Sequence, residues 1–390
     1  MAESVFDALD AALSEGGVDA AFQSLVDKLR SDKNYHEMFD ARLMESRYRL
    51  GLPIILTSNL DDLEDPQRTR LEDAYLEACK EVGRLLLEEG RLREAWMYLR
   101  PVGDKALLAE ALEKTEPNEE TLEELIEVAV QEGVAPRRGF EFVLENYGIC
   151  NAITMFEGGM HERPRQDQQE VVALLVNRLH EELLDNLKAE VVRQEGAEPA
   201  ETTIAALVGD RDWLFQDDAY HIDTSHLHSV TRFARLIDDE KALRLALDLT
   251  EYGRRLGQQY QYETEEPFAD TYVSHALFFS AKLGEQVDEA LAYFRDKATS
   301  LAIDEHGSGP AEIYVALLSV QGKHQEALDA AAEFIPPGVP TSGFAPTLFE
   351  LARGANAFGR LSEICRQRND PLGYTAGLVE AKLRADGVKV

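Results

Sequence analysis

Apolar positions along this chain recur with helical spacing and stop at glycines. Leu85, Leu86 and Leu87 end one such run, Gly90 interrupts it, and Ala95, Leu99 and Val102 begin the next. Glycine adopts the left-handed conformation that closes a helix, so Gly90 fits a turn between two helices. Ala95 falls early in the second helix, where close approach to the first leaves room for little bulk. Leu99 and Val102 follow at i+4 and i+7 and complete an apolar stripe. The same phrase returns as Gly322-Lys-His-Gln-Glu-Ala327 and Gly359-Arg-Leu-Ser-Glu-Ile364, with one extra residue at Gly284–Ala290 and in degraded form at Gly16–Ala21. The steps from Gly284 to Gly322 to Gly359 are 38 and 37 residues. A fixed period of this size marks supersecondary units that cannot bury their apolar face alone and stack on neighbours.

No run of alternating β-branched residues bounded by turns competes with this pattern, so the chain reads as all-α. Residues 3–32 form an acidic hairpin turning at Gly16-Gly17. A helix over 34–58 ends near Asn59, with Pro53 kinking or ending it earlier, and Asp61–Arg68 is a polar linker. Residues 69–114 hold the clearest repeat. Pro117 starts another hairpin, which turns at Gly133–Pro136 and runs to about Gly148. The pattern breaks over 149–282. There Gly158–His161 reads as a loop, Asp167 as an N-cap with Glu170 completing a capping box, and a long helix runs to about Gln194. Loops at Gly196–Thr202 and Gly209–His221 precede a helix from about Ser225 to Leu236. Regular phrasing resumes over 283–390. The chain therefore divides into N-terminal hairpins (1–148), an irregular centre (149–282) and C-terminal hairpins (283–390), together one continuous stack of about ten hairpins.

The Leu76–Leu107 segment resembles the tetratricopeptide repeat. Val82-Gly83 stands at the family's Leu-Gly, Leu86 at its Tyr, Gly90 at the turn glycine, Ala95 at the invariant small position, Leu99 at the Phe and Val102 at the last Ala. Cys79 replaces the Trp, and the closing Pro is absent. Over Ala311–Val339, Tyr314, Gly322, Ala327 and Phe334 fit, and Pro336-Pro337 falls near the terminal Pro. The resemblance covers about half of the chain, at both ends. It implies a right-handed α-solenoid and a binding module that holds a peptide, protein or small ligand on its concave face.

Net charge narrows the partners. Acidic residues number 73 and basic residues 40, a formal charge of −33. Such a chain repels phosphate backbones and anionic lipid, which argues against nucleic acid and membrane and favours a basic protein or peptide, or a divalent cation. Cys79, Cys150 and Cys365 form no paired motif and read as small buried residues. The N-terminus lacks a basic, then apolar, leader, and no apolar stretch reaches the length of a membrane span, so a cytoplasmic location is expected.

The chemistry-bearing residues gather in the irregular centre. Of nine histidines, six lie between 161 and 275. In Tyr220-His-Ile-Asp-Thr-Ser-His-Leu-His228, a cap at Asp223, Thr224 or Ser225 puts His226 in the first helical turn, with His221 and Asp223 just outside it. His221, Asp223 and His226 then form a candidate ligand set for zinc, iron or manganese. His275 would join from a neighbouring hairpin, and His161 and His180 from other walls. His228, two residues past His226, faces elsewhere. In Tyr262–His275, Pro267 suits a first helical turn, and Asp270 with Ser274 and Thr271 with His275 make polar pairs at i+4 that point to an internal pocket. Glu266 or Asp270 would serve as general base for metal-activated water. Tyr220, Tyr260, Tyr262, Tyr272 and Trp213 are candidates to line a groove. The binding module is the leading functional reading, because the repeat pattern supports it, and a metal-dependent enzyme of hydrolase, lyase or isomerase type is the alternative. Spacing alone does not separate them, because the same cluster equally suits a structural hydrogen-bond network.

Overall fold

The computed structural model describes residues 4–55 and 63–387. The expected helix end near Asn59 and the start of the linker at Asp61 lie outside the described residues. The chain is 75% helix, with no strand among the described residues. None of the described helices is long and apolar enough to cross a membrane. The fold separates into two compact units, residues 1–148 and 149–390. The expected central and C-terminal sections thus fall in one unit.

The first unit contains α1 (Val5–Ser31), α2 (Tyr35–Arg49), α3 (Gln67–Glu88), α4 (Leu92–Val102), α5 (Lys105–Glu113), α6 (Leu122–Ile126) and the first part of α7 (Pro136–Gly159). Non-helical backbone breaks α1 at Gly17 and α7 at Gly148. The helix expected to reach residue 58 instead stops at Arg49, because Gly51 takes a positive φ of 68° ahead of Pro53. Helices adjacent in sequence pack on each other from α1 through α5. The α3–α4 contact shows why the repeat phrase is spelled as it is. Gly90 (φ 74°) makes the turn. Ala95 is fully buried, and a Cβ on Gly83 would come within 2.7 Å of Leu99 Cγ. Beside this contact Glu81 receives Arg42 bidentately, at 2.9 and 3.0 Å, fastening α2 to α3.

The second unit begins with the rest of α7 and continues through α8 (Arg165–Glu195), α9 (Ile204–Gly209), α10 (Thr224–Phe233), α11 (Glu240–Gly253), α12 (Thr271–Lys282), α13 (Val287–Ser300), α14 (Ile303–His306), α15 (Gly309–Val320), α16 (His324–Phe334), α17 (Leu348–Ala355), α18 (Phe358–Gln367) and α19 (Pro371–Ala385). The spine is α8. Its Val172, Leu175, Val176, Leu179, Leu183, Leu187 and Val191 follow helical spacing and are fully buried, against α9, α10 and α11. It begins at Arg165, so Asp167 lies inside its first turn and is not the cap. Gly158 and Gly159 belong to the end of α7, and only Met160–Glu162 leaves it, as a 3-10 turn. The break at Gly148 resets the helical register: Ala152, Ile153 and Phe156 turn inward, and Cys150, expected to be buried, is exposed. Gly284 (φ 79°) and Gly322 (φ 71°) make the turns into α13 and α16. The turn before α18 is made by Asn356 (φ 53°), and Gly359 sits inside the helix.

A buried carboxylate fastens the long connection between α16 and α17. Glu312 of α15 accepts the amides of Ser342 (2.9 Å) and Phe344 (3.1 Å) and the hydroxyls of Ser308 (2.7 Å) and Ser342 (2.9 Å). Burial pushes its pKa up, but the Ser342 amide and the other donors outweigh burial and hold it below the usual carboxylate range.

Ala95→Trp and Ala327→Trp replace fully buried alanines at helix contacts. Each is expected to destabilise by about 1–3 kcal/mol or more, measured by urea unfolding, with wild-type midpoints counting against close packing there. Glu312→Gln puts an amide group against several donors, and a loss of about 1.5–3 kcal/mol is expected at pH 7. Because the folded-state pKa of Glu312 is lowered, this contribution is present above pH 4.5 and fades as pH falls below it. The gap between wild type and variant in thermal unfolding should therefore narrow below that pH.

Candidate functional site

The residues singled out around 221–228 serve separate local tasks. Asp223 is the N-cap of α10: its Oδ1 accepts the amides of Ser225 (2.8 Å) and His226 (3.3 Å) and the Ser225 hydroxyl (2.6 Å). The Ser225 hydroxyl, the largest influence, together with these amides holds its pKa below the usual range. His221 turns the other way, onto α11. The Tyr252 hydroxyl accepts the His221 amide at 2.7 Å and lies 3.1 Å from its Nδ1. His226 occupies the first turn of α10, half-buried.

The more distant candidates are also engaged elsewhere. His180 Nε2 meets Asp248 Oδ2 at 2.7 Å, and Asp248 accepts the amides of Ile204 and Ala205, each at 2.7 Å. One carboxylate thereby caps α9 and ties α8 to α11. His161 is exposed beside Glu162. His275 is fully buried, with Nδ1 donating to the Thr271 carbonyl at 2.5 Å. Glu266 is ion-paired with Lys297 at 2.8–2.9 Å. Among the described residues no group of three or more His, Cys, Asp or Glu side chains could hold a metal ion. The expected convergence of His221, Asp223, His226 and His275 fails for a geometric reason. The Asp223 carboxylate points at the amides of its own helix, while His221 is taken up by Tyr252 and His275 by the Thr271 carbonyl.

What the structure does bring together lies one helical turn further on. On α10 and the 3-10 turn that follows, His228, Thr231, Arg232 and Arg235 form one stripe at spacings of three and four. Helix α12, packed on α10, contributes Thr271, Tyr272 and His275. The connecting loop adds Tyr262, Glu265 and Phe268. The rings of Tyr262 and His228 lie 5.1 Å apart, and the Tyr262 hydroxyl meets Thr224 Oγ1 at 3.1 Å. Phe268 stacks on His275 at 4.2 Å and takes the Arg235 guanidinium 4.9 Å from its ring centre. His228 Nδ1, Thr231 Oγ1, Tyr272 Oη and His275 Nε2 are buried here with no partner among the described residues.

Electrostatics in this cluster run against the acidic whole. Burial first, then Arg232 and Arg235, push His228 down to about 4. Burial, then Arg235, holds His275 well below its ordinary value. Both imidazoles are therefore neutral at pH 7. Because His275 Nδ1 donates to a carbonyl, its Nε2 presents a lone pair. Burial and the neighbouring Arg232 push Arg235 itself down to about 10.

Next to this cluster opens a cleft of about 550 Å3, lined among others by Arg254, Gln258, Tyr262, Glu263, Asp270, Thr271 and Tyr272. Tyr262, Thr271 and Tyr272 belong to both the cleft wall and the buried cluster. Asp270 stands at the N-cap of α12, yet its side chain makes no capping hydrogen bond. Pro267 precedes the helix, which starts at Thr271, instead of entering its first turn. Tyr272 lies so close to α11 that a Cβ on Gly253 would fall within 2.3 Å of its ring. The stripe from His228 to Arg235 was readable as an i, i+4, i+7 pattern; the polar pairs on α12 pointed to its other wall.

The chain matches no protein-family model and no curated protein.

A pH dependence follows from the neutral histidines. His228 is depressed from 6.5 to about 4, so folding keeps it uncharged where the unfolded chain would bind a proton. Its contribution is present above pH 6.5 and is lost as pH falls toward 4. Wild-type melting temperature should drop across that window more steeply than that of His228→Gln. Parallel slopes in thermal scans at pH 7, 6, 5 and 4 would refute the burial of a neutral imidazole.

Proposed function

We propose that this protein is a binding module, with a small polar ligand or short peptide held in the cleft of the second unit. The observation that carries this reading is the cleft itself. Its volume falls in the range of small-molecule sites, and its wall combines tyrosine faces with the carboxylates of Glu263 and Asp270 and the amide of Gln258. The buried Tyr272 hydroxyl in that wall has no partner among the described residues. Mixed signs around the rim, from Arg254 against Glu263 and Asp270, favour a ligand rich in hydrogen-bonding groups.

The reading includes tetratricopeptide-like, right-handed stacking of helical hairpins within each unit. It is supported by the turns at Gly90, Gly284 and Gly322, by the buried Ala95 and Ala327, and by packing between sequential helices. A metal-dependent enzyme is the less favoured alternative: Glu266, one candidate base, is held in an ion pair, and among the described residues no side-chain group could hold a metal. The reading keeps the expected cytoplasmic location, and the net charge of −33 favours basic proteins or peptides over nucleic acids as macromolecular partners.

Titration calorimetry with sugars, free amino acids, dipeptides and nucleosides tests the cleft. At least one class should bind with an affinity reduced tenfold or more in Tyr262→Ala and Asp270→Asn, both keeping the wild-type circular dichroism spectrum. Binding unaffected by either substitution, or no binding by any class, would exclude the cleft as the site.

A further inference from the structure

Many half-buried cations of this chain meet a carboxylate, although the buried Arg47 gives its Nε to the Pro53 carbonyl. Arg42 meets Glu81 and Glu45, Arg211 meets Glu195 and Glu201, Lys297 meets Glu266, and Arg232 meets Glu157 at 2.8 Å. With 73 acidic residues against 40 basic ones, a counter-charge is seldom far away. Among the described residues of the second unit Arg368 and Arg235 both lack one, but Arg368 gives a terminal nitrogen to the carbonyls of Ala331, Ala332 and Ile335, and Arg235 does not. Its Nε donates to the Arg232 carbonyl at 2.8 Å. Among the described residues its two terminal nitrogens meet no acceptor and no carboxylate. Glu265 is near enough to favour the charged form, but it makes no ion pair with Arg235. The guanidinium is half-buried against Phe268, and its nearest charged helix neighbour is another arginine.

A guanidinium keeps its charge, so a half-buried one beside a second cation, its terminal nitrogens free of protein acceptors, favours a bound anion. The second observation is independent of charge. The same stripe and the facing helix carry buried polar atoms without partners among the described residues: Thr231 Oγ1 one turn before Arg235, His228 Nδ1 one turn earlier still, and His275 Nε2 on α12. His275 is fully buried, and its Nε2 is an acceptor that requires a donor. Thr231 can donate or accept. A bare anion would satisfy the guanidinium and leave the imidazole wanting. A species with both an anionic oxygen and an O–H satisfies both kinds of group.

We infer that the Arg235–Thr231–His228–His275 cluster is a binding site for a small oxyanion that also carries an O–H, the chemistry shared by hydrogen phosphate and 2-hydroxycarboxylates. Arg235 takes the anionic oxygen through its planar fork, and the imidazole and hydroxyl groups meet the O–H and remaining oxygens. The site stands apart from the proposed use of the cleft, which it meets at Tyr262, Thr271 and Tyr272.

Thermal unfolding and calorimetry of the full chain at pH 7 and matched ionic strength test this with sodium phosphate, lactate, acetate, sulfate and chloride. Phosphate or lactate should raise the melting temperature saturably above chloride, and beyond acetate and sulfate, which at this pH offer no O–H. The phosphate and lactate arms decide between the two sources. Arg235→Gln should weaken the effective anion at least tenfold, whereas Asp270→Asn should leave it unchanged, separating this site from the cleft. If Arg235→Gln fails to fold, Arg235→Lys, which keeps the charge and loses the fork, should still weaken binding severalfold. The proposal is overturned if phosphate and lactate act no differently from chloride. It is equally overturned if sulfate matches them, or if their effect survives both arginine substitutions.

Discussion

Helices of this protein approach each other where one of them has almost no side chain. At Gly83 a single methyl group would collide with Leu99, and at Gly253 it would enter the ring of Tyr272. At Gly377 it would meet Ser362 Oγ at 2.6 Å. Ala95 and Ala327 allow the same closeness with one carbon to spare. Protein interiors are packed to crystal-like density, so such positions leave no latitude. The apolar stripes of each helix can meet their neighbours only because these few positions are empty. Side chains beside them inherit their placement from that contact: Tyr272 is positioned by Gly253, and Tyr272 in turn forms part of the wall shared by the cleft and the buried cluster.

A second constraint is electrostatic. Carboxylates outnumber cations so heavily that the fold uses them as fasteners. Glu81 grips α2, Asp248 caps α9 while holding His180, and Glu312 fixes the connection after α16. Hydrogen bonds to a charged acceptor are stronger than neutral ones, and each of these carboxylates satisfies donors from more than one element. The interior around Arg235 inverts this economy, with cations and neutral imidazoles collected and, among the described residues, no carboxylate ion-paired with Arg235. Functional sites are where such local rules are broken, because a group left unpaired by the fold remains free to act on something else.

Much of the helical architecture could be read from spacing. Gly90, Gly284 and Gly322 announce turns because a left-handed residue is required there, and Ala95 and Ala327 announce contacts because bulk is excluded. Gly359 carries the same letters without the same geometry, since Asn356 also tolerates the left-handed conformation and takes the turn first. Asp167 looked like a cap by its partner at i+3, but the chain leaving Pro164 is already committed to a helix. For the site, linear closeness misled. His221 and Asp223 are neighbours in sequence that face the Tyr252 hydroxyl and the α10 amides, and His226 lies half-buried in the first turn beyond them. His228, set aside because it faces away from His226, is buried for exactly that reason: the far side of α10 is the inside. The polar groups expected on α12 are largely met within the chain: Ser274 Oγ and His275 Nδ1 turn to carbonyls one turn back, Thr271 bonds Thr264, and His275 Nε2 is left over among the described residues.

The fastening by Glu312 bears on how this chain can vary. A connection held by apolar side chains must keep those side chains. The one between α16 and α17 is held largely through its own backbone amides, at Ser342 and Phe344, by a single carboxylate on α15. Amides belong to every residue except proline. Among related chains the loop could therefore drift widely in sequence, and even lengthen at its ends, while position 312 stayed acidic. A lone invariant acid opposite a variable loop would look like a catalytic residue in an alignment, yet here its work is that of a hinge pin.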